Sequence, residues 1–464
     1  MTATRSFAPV PASGARPTGR APIARLTWLL ARPSAQSAAV LVLPAVAFAV
    51  TTALMLIVFG GALMFWRWTT ADAGIYQMLS VLALALLIVP LATLGGAAAR
   101  LSARRRDDRL ATLRLLGATP SVVTRMTVLE STVVAVLGSL AGVVLYLAAI
   151  PLVGLVPFGG DAIGAGELWV GPGLIAMVIL AVAVLAAVSA AIGLRQVTIS
   201  PLGVRTRQSA PRMHWSRIVL GVVVIGAAFG ALSVLRSIGD YAVMIAILGT
   251  AFAIGVGVLN LIGPWAIGIA ARVSLRRAKT AVKLLSARGI LESPKAAWRQ
   301  VSGVAMTSFV AVVAGTGVAF MDTAAAGESD SATLVLLADI RTGIVITVIA
   351  SFLMVACSVG VNQAAGILDR RDLYVSLDRL GMPREVIERS RARTILSPLR
   401  FVTIGSALVG AILVLPLVGL AVILAPLSML VIAGCLAGGV ALVWLSLKAT
   451  TPVLSRVLSQ PERL

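Results

Sequence analysis

The chain has 464 residues, of which 59% are hydrophobic and 12% are charged, and its mean hydropathy is +1.00. A composition this apolar excludes a soluble globular protein and predicts an integral membrane protein. The formal net charge of +21 does not indicate nucleic-acid binding, because the basic residues lie singly or in small groups between apolar runs rather than on one domain.

The amino-terminal residues 1–36 are rich in Ala, Pro, Ser and Arg and contain no apolar run long enough for the core of a signal peptide. They predict a cytoplasmic tail without a packed core. Within the tail, the segment ARLTWLLAR at 24–32 places leucines and a tryptophan between two arginines. This pattern predicts a short amphipathic helix that lies along the membrane surface.

Ten apolar runs then follow along the chain. A helix needs about 20 apolar residues to cross the hydrocarbon core of a bilayer, and each run is close to that length or longer. The sequence therefore predicts an all-α integral membrane protein with ten transmembrane helices. The runs lie near residues 38–65, 76–99, 127–156, 169–194, 217–235, 242–271, 302–321, 342–367, 395–417 and 426–447.

The charge of the connectors predicts the orientation of these helices. Connectors 100–126, 195–217, 272–299 and 368–400 each hold at least five basic residues, and short loops rich in Arg and Lys stay in the cytoplasm. The alternate connectors carry few basic residues, including the one at 322–341 that contains Asp339 and Arg341. This alternation predicts that both termini are cytoplasmic.

One charged connector has a second copy. In RRRDDRLATLRLLGATPSVV, at 104–123, placing Gly117 over Gly381 brings similar residues into register. Two Arg-rich loops can resemble each other by chance, but both copies follow the second span of a group of four, which favours a duplication. The aligned pairs are Arg106 with Arg370, Asp108 with Asp372, Thr112 with Ser376, Leu113 with Leu377, and Leu116 with Leu380.

The duplication predicts a 4+2+4 order of spans, with two parallel four-helix units around a two-helix insert. A short interfacial helix is expected before the second unit, within KLLSARGILESPKAAW at 283–298. The predicted boundaries are 1–36 for the amino-terminal tail, 37–207 for the first unit, 208–272 for the insert, 273–450 for the second unit and 451–464 for a second cytoplasmic tail.

Each repeated loop has the features of a helix, a turn and a second helix. Asp108 suits the positive end of a helix dipole, Gly117 suits a left-handed stop, and Pro120 suits the first turn of the next helix. Two interpretations stay open for the leucines between them. They pack against the ends of the bundle, or they form an exposed apolar ridge that binds in a groove of a soluble partner.

These residues carry a family resemblance. RRRDDRLATLRLLGATPSVVTRMTVLES resembles the cytoplasmic signature of FtsX-like permeases, the membrane subunits of MacB-type ABC transporters, and ISPLGVRTR at 199–207 resembles the exit from the fourth span of that domain. Over residues 25–450, the order of spans is similar to that of ten-span permeases of the bacitracin-resistance (BceB) type. The short connectors 66–75 and 322–341 leave no room for the large extracytoplasmic domain that such permeases usually carry.

The resemblance implies that both loops contact a separate P-loop ATPase, with two ATPase copies under one permease in a bacterial cell membrane. No GxxxxGK[ST] motif occurs in the chain, so ATP and Mg²⁺ are expected on that partner, and neither enzymatic activity nor a bound cofactor is expected here. The residues implied to act in coupling are Asp108, Leu113, Leu116, Gly117 and Pro120 in the first loop and Asp372, Leu377, Leu380, Gly381 and Pro383 in the second.

The strongest polar candidates within the apolar runs are Asn260, Asn362 and Gln363. They either form hydrogen bonds between helices or line a polar patch that faces a substrate. The sequence as a whole predicts an ABC permease that exports or extracts a hydrophobic or amphiphilic compound, with an antibiotic or antimicrobial peptide among the candidates. Two alternatives stay open, an FtsX-like signalling subunit and a secondary transporter.

Overall fold

The computed structural model describes residues 38–69, 72–104, 120–199, 241–325 and 330–459. Over these ranges the chain forms α-helices, joined by short connections and one two-stranded hairpin, which confirms the prediction of an all-α membrane protein. Inner and outer denote the two ends of the helices according to the orientation that the basic connectors predict.

The elements are numbered here in chain order within the described ranges. The helices of the first group and its hairpin are α1 (Ala38–Phe65), α2 (Ala73–Arg104), α3 (Pro120–Val153), β1 (Pro157–Phe158), β2 (Asp161–Ala162) and α4 (Gly171–Ile199). The remaining helices are α5 (Tyr241–Arg276), α6 (Ala281–Glu292), α7 (Pro294–Ala325), α8 (Ser331–Asp369), α9 (Arg371–Arg379), α10 (Arg384–Leu413), α11 (Leu415–Leu424), α12 (Pro426–Ala449) and α13 (Thr451–Ser459).

Eight of the described helices are long and apolar enough to cross a membrane. The two halves of α2, Ala73–Leu87 and Pro90–Ala99, make a ninth span if they are counted together across their bend of 41°. A proline removes one helical hydrogen bond and crowds the preceding turn, which explains a bend at Pro90. The predicted fifth span at 217–235 lies outside the described residues, so the number ten stays a prediction.

The connector predicted at 322–341 is mostly helical, and this corrects the sequence analysis. α7 continues to Ala325 and α8 begins at Ser331, so Asp339 and Arg341 lie on a membrane helix rather than in a loop. The backbone N–H groups of Ala332 and Thr333 donate to the carboxylate of Asp330, which caps α8. These bonds, with one from the Thr333 hydroxyl, hold the pKa of Asp330 below its usual range.

The four helices α1 to α4 form the first group, and α7, α8, α10 and α12 form the second. α1 packs along α3 in the first group, as α7 packs along α10 in the second. Phe48, Leu56 and Tyr146 lie in the core of the first group, and Phe352 and Leu399 lie in the core of the second. The first and third helices therefore meet in both groups, as a duplication would produce.

The second helix of each group joins the two groups. α2 packs along α8, and Leu87, Leu94 and Met354 are buried in a cluster between them. The groups differ at their fourth helix, because α3 packs broadly against α4 whereas α10 touches α12 only briefly. α12 instead packs on α7 and α8.

A helix, α6, covers most of the segment 283–298 in which the sequence predicts an interfacial helix, and its place at the membrane surface stays a prediction. It ends at Glu292, and α7 begins at Pro294 after one intervening residue. Ile290 and Trp298 are buried in the same core cluster, so α6 is packed onto the second group rather than free at the surface.

Two glycines allow the close approach of α1 and α3. A Cβ atom added at Gly138 would lie 2.6 Å from the carbonyl oxygen of Ala45, and one at Gly142 would lie 2.5 Å from that of Ala49. Between them, the hydroxyl of Thr52 donates to that of Ser139 at 3.1 Å. The spacing GSLAG at 138–142 is therefore a packing site of the small-residue type.

We expect Gly138→Ala with Gly142→Ala to lower the thermal unfolding temperature of the purified protein in detergent. Forced overpacking of this kind costs about 1–3 kcal/mol per site. The matched control is Gly434→Ala with Gly438→Ala, in the spacing GCLAG at 434–438, where an added Cβ meets no atom within 4 Å. Equal effects of the two double substitutions would contradict the assignment of the α1–α3 contact.

Candidate functional site

The second copy of the repeated loop continues directly from a membrane helix. Arg370 is the only residue between the end of α8 and the start of α9, and Asp372 lies in the first turn of α9. The guanidinium of Arg370 also contacts the carboxylate of Glu292 at the end of α6, at 3.4 Å. α9 is therefore placed by two neighbouring helices at the inner end of the bundle.

The turn after α9 has the conformation that the sequence predicts for a glycine stop. Gly381 has a φ of +81°, in the left-handed region that favours glycine. Its N–H donates to the carbonyl of Asp378 at 3.0 Å, and the N–H of Met382 donates to the carbonyl of Leu377 at 3.1 Å. These two bonds define a Schellman motif. Pro383 then precedes α10.

The leucines of α9 and of its C-cap point in different directions. Leu377 packs against an inner cluster of four buried residues, together with Met382, whereas the side chain of Leu380 is 82% exposed and that of Leu373 is 51% exposed. Leu377 therefore agrees with the interpretation that the leucines pack against the bundle, and Leu380 agrees with the interpretation that they form an exposed ridge. The inner cluster consists of Ile367, Ile387, Leu454 and Leu458.

Helix α13 supplies half of the inner cluster, and the sequence analysis missed it. Residues 451–464 were predicted only as a tail, but Thr451–Ser459 forms a helix whose Leu454 and Leu458 are buried under α9. The i, i+4 spacing of these leucines after Pro452 was the signal that could have identified it. Burial beside this cluster raises the pKa of the Tyr374 hydroxyl, although nearby Arg391 and Arg370 act in the opposite direction.

A buried arginine joins α10 to the end of α12. Arg391 is only 8% exposed, and its Nη1 donates to the hydroxyl of Thr450 at 2.8 Å. Within the described residues its Nε atom is buried without a hydrogen-bond partner. Burying a charge with so few hydrogen bonds is costly, and the bond to Thr450 links α10 to the end of α12 at the inner end of the second group. Sequence reasoning counted Arg391 only as one of many basic loop residues.

Most of the first loop lies outside the described residues. Asp108, Leu113, Leu116 and Gly117 belong to 105–119, and their predicted roles stay predictions. Pro120 is the first residue of α3, the place that its fixed φ favours.

The three polar residues within the spans all take part in hydrogen bonds. The indole N–H of Trp298 donates to the amide oxygen of Asn260 at 3.1 Å, which joins α7 to α5. The amide nitrogen of Gln363 donates to the amide oxygen of Gln300 at 3.2 Å, which joins α8 to α7. Asn362 donates to Ser358 within α8. These contacts favour a packing role, and a role in facing a substrate stays a prediction.

An apolar groove opens between α7, α8 and α12, where α12 stands away from α10. Its walls are aliphatic apart from Cys435 and from Arg341, which is exposed on α8. The lining residues are Ala311, Gly315, Val318, Arg341, Ile344, Val345, Val348, Val431, Ile432 and Cys435.

Residues 78–202 match the family model of the FtsX-like permease C-terminal domain. This segment is an FtsX-like permease domain. The match runs from α2 to the end of α4 and includes the first repeated loop, and it supports an ABC permease or an FtsX-like subunit, a family that generally pairs with an ATPase. No curated protein matches the chain.

We expect Gly381→Ala to loosen α9, because the left-handed conformation costs a residue with a Cβ atom about 1–2 kcal/mol. Hydrogen–deuterium exchange should accelerate in Arg371–Arg379, and Gly381→Asn should have a smaller effect because Asn tolerates this region. Gly366→Ala, in the interior of α8 with open space around it, is the control and should leave α9 protected. Unchanged exchange in Gly381→Ala would contradict the Schellman assignment.

Proposed function

We propose that this FtsX-like permease is the membrane subunit of an ABC transporter. It couples ATP hydrolysis by a separate P-loop ATPase to the movement of a hydrophobic or amphiphilic compound, either by export or by extraction from the membrane. The α9–α10 turn, residues 377–383, carries this proposal. It presents an exposed leucine, Leu380, directly after a short helix that follows a membrane helix with one residue between them. An exposed apolar anchor is the kind of contact that a groove on a soluble partner binds.

The packing of α9 suits the transmission of force. Leu377 and Tyr374 hold one side of α9 against the inner cluster, while Leu380 projects away from it. A partner that binds Leu380 and moves therefore displaces α9, and with it the helices α8, α10 and α13 on which α9 packs. By the repeat, the first loop presents Leu116 to a second ATPase copy, which gives two ATPases for one permease.

The groove between α7, α8 and α12 supports an amphiphilic substrate. Its aliphatic walls suit an acyl chain or another apolar tail, and Arg341 suits an anionic group at the outer membrane boundary. We infer that the substrate is an anionic amphiphile whose apolar part contacts this groove. An antibiotic or antimicrobial peptide of this chemistry is one candidate.

The coupling assignment is tested by Leu380→Ser. Because Leu380 is exposed, the variant should unfold at the temperature of the unsubstituted protein, yet its affinity for the ATPase that co-purifies with the chain should fall about tenfold, as for a central interface residue. The control is Leu284→Ser, an exposed leucine on α6. Full association and ATPase stimulation in Leu380→Ser would refute the assignment.

The substrate class is tested by the stimulation of ATP hydrolysis in the purified complex. Lysophosphatidylglycerol should stimulate more strongly than zwitterionic lysophosphatidylcholine. Arg341→Gln should abolish this preference, and Arg341→Lys should retain it. An identical response to both lipids in the unsubstituted complex would contradict an anionic substrate, and uptake of the labelled lipid into vesicles would separate transport from signalling.

A further inference from the structure

A buried carboxylate ties the two groups of helices together at their outer ends. Asp339 of α8 is 4% exposed. One of its oxygens, Oδ2, accepts from the hydroxyl of Tyr76 on α2 at 2.6 Å and from the backbone N–H of Gly159 in the hairpin at 2.8 Å. We use the name outer tie for Tyr76, Asp339 and Gly159.

The first group presents this pair of donors from a rigid surface. The ring of Tyr76 stacks on Phe65 at 5.5 Å between centroids, and Phe65 contacts Phe158 edge-to-face at the same distance. Arg67 donates to the carbonyls of Glu167 and Trp169, which holds the α1–α2 connector against the segment before α4. The two donors therefore move with the first group, and their acceptor moves with the second.

The same two helices carry the outer tie and the repeated loops. α2 bears Tyr76 near its outer end and leads into the first loop at its inner end, and α8 bears Asp339 and leads into α9. Between the two ends the helices touch through the aliphatic side chains of Leu87, Leu94 and Met354. Aliphatic contacts tolerate sliding and tilting, whereas the hydrogen bonds of the tie are directional and short in range.

We propose that the outer tie is a latch that keeps the outer ends of α2 and α8 together and that breaks when ATP binding draws the two loops together beneath the membrane. This inference rests on the proposed function. A buried carboxylate is stable either with its donors or in contact with water, and intermediate separations leave it unpaired. The tie therefore has two states, closed and hydrated, and the change between them opens a crevice between the two groups.

The latch is tested by the distance between spin labels on the two helices. Gly74→Cys and Val335→Cys place labels on exposed positions near the outer ends of α2 and α8, and an added Cβ at Gly74 meets no atom within 4 Å. Cys357 and Cys435 are replaced by Ala. In lipid nanodiscs without nucleotide, the permease alone should give a dominant short-distance population and a minor long-distance one.

Tyr76→Phe keeps the ring but removes one donor, and we expect it to shift the ratio of short to long distances about tenfold, the effect of losing a hydrogen bond to a charged group. Asp339→Asn keeps the size but weakens both bonds, and should act in the same direction. Tyr146→Phe is the matched control. Its hydroxyl is also buried, but it bonds to Leu168 and Val170 within the first group.

The co-purifying ATPase, trapped with ATP and vanadate, should move the unsubstituted permease to the long distance. Unchanged distances in both Tyr76→Phe and Asp339→Asn would overturn the latch, as would a short distance that persists in the trapped complex. Equal shifts in Tyr146→Phe would show a general loosening and would also overturn it. If no ATPase co-purifies with the permease, that result contradicts the proposed function and not the latch. The distances measured in the permease alone test the outer tie without any ATPase.

Discussion

The contact between α2 and α8 is the interaction on which the arrangement of the membrane helices depends, because it joins the two groups and because both helices continue into the repeated loops. Along most of its length this contact is aliphatic, as in the cluster of Leu87, Leu94 and Met354. In a bilayer, such contacts gain little from the hydrophobic effect, since lipid tails are as apolar as leucine. The Tyr76–Asp339 bond at the outer end therefore contributes specificity that the aliphatic part lacks.

The bilayer also limits where polar side chains can lie in the helix bundle. Unsatisfied polar groups are expensive in hydrocarbon, and three polar side chains inside the bundle form hydrogen bonds between helices. Gln363 bonds to Gln300, Asn260 bonds to Trp298, and Arg391 bonds to Thr450. These bonds connect α5, α7, α8, α10 and the end of α12, and they hold the second group around the base of α9.

Local features of the candidate site were predictable because they depend on single residue types. Gly381 adopts the left-handed conformation that its place after a leucine-rich helix predicts, and α6 lies where the segment before the second group predicts it. The direction of Leu377 and Leu380 was not predictable in the same way. Both leucines lie at the end of α9, and the packing of α8, α10 and α13 decides that Leu377 is covered while Leu380 is exposed.

The sequence by itself determined the membrane class, the positions of the described spans and the repeated loop, since these follow from hydropathy over about 20 residues and from Gly and Pro at turns. The family match over residues 78–202 agrees with this. Only the tertiary structure decided that α8 begins at Ser331 and that Asp339 is buried between the groups. Charge in a sequence indicates a loop, but a carboxylate becomes stable inside a bundle once distant residues such as Tyr76 and Gly159 supply its hydrogen bonds.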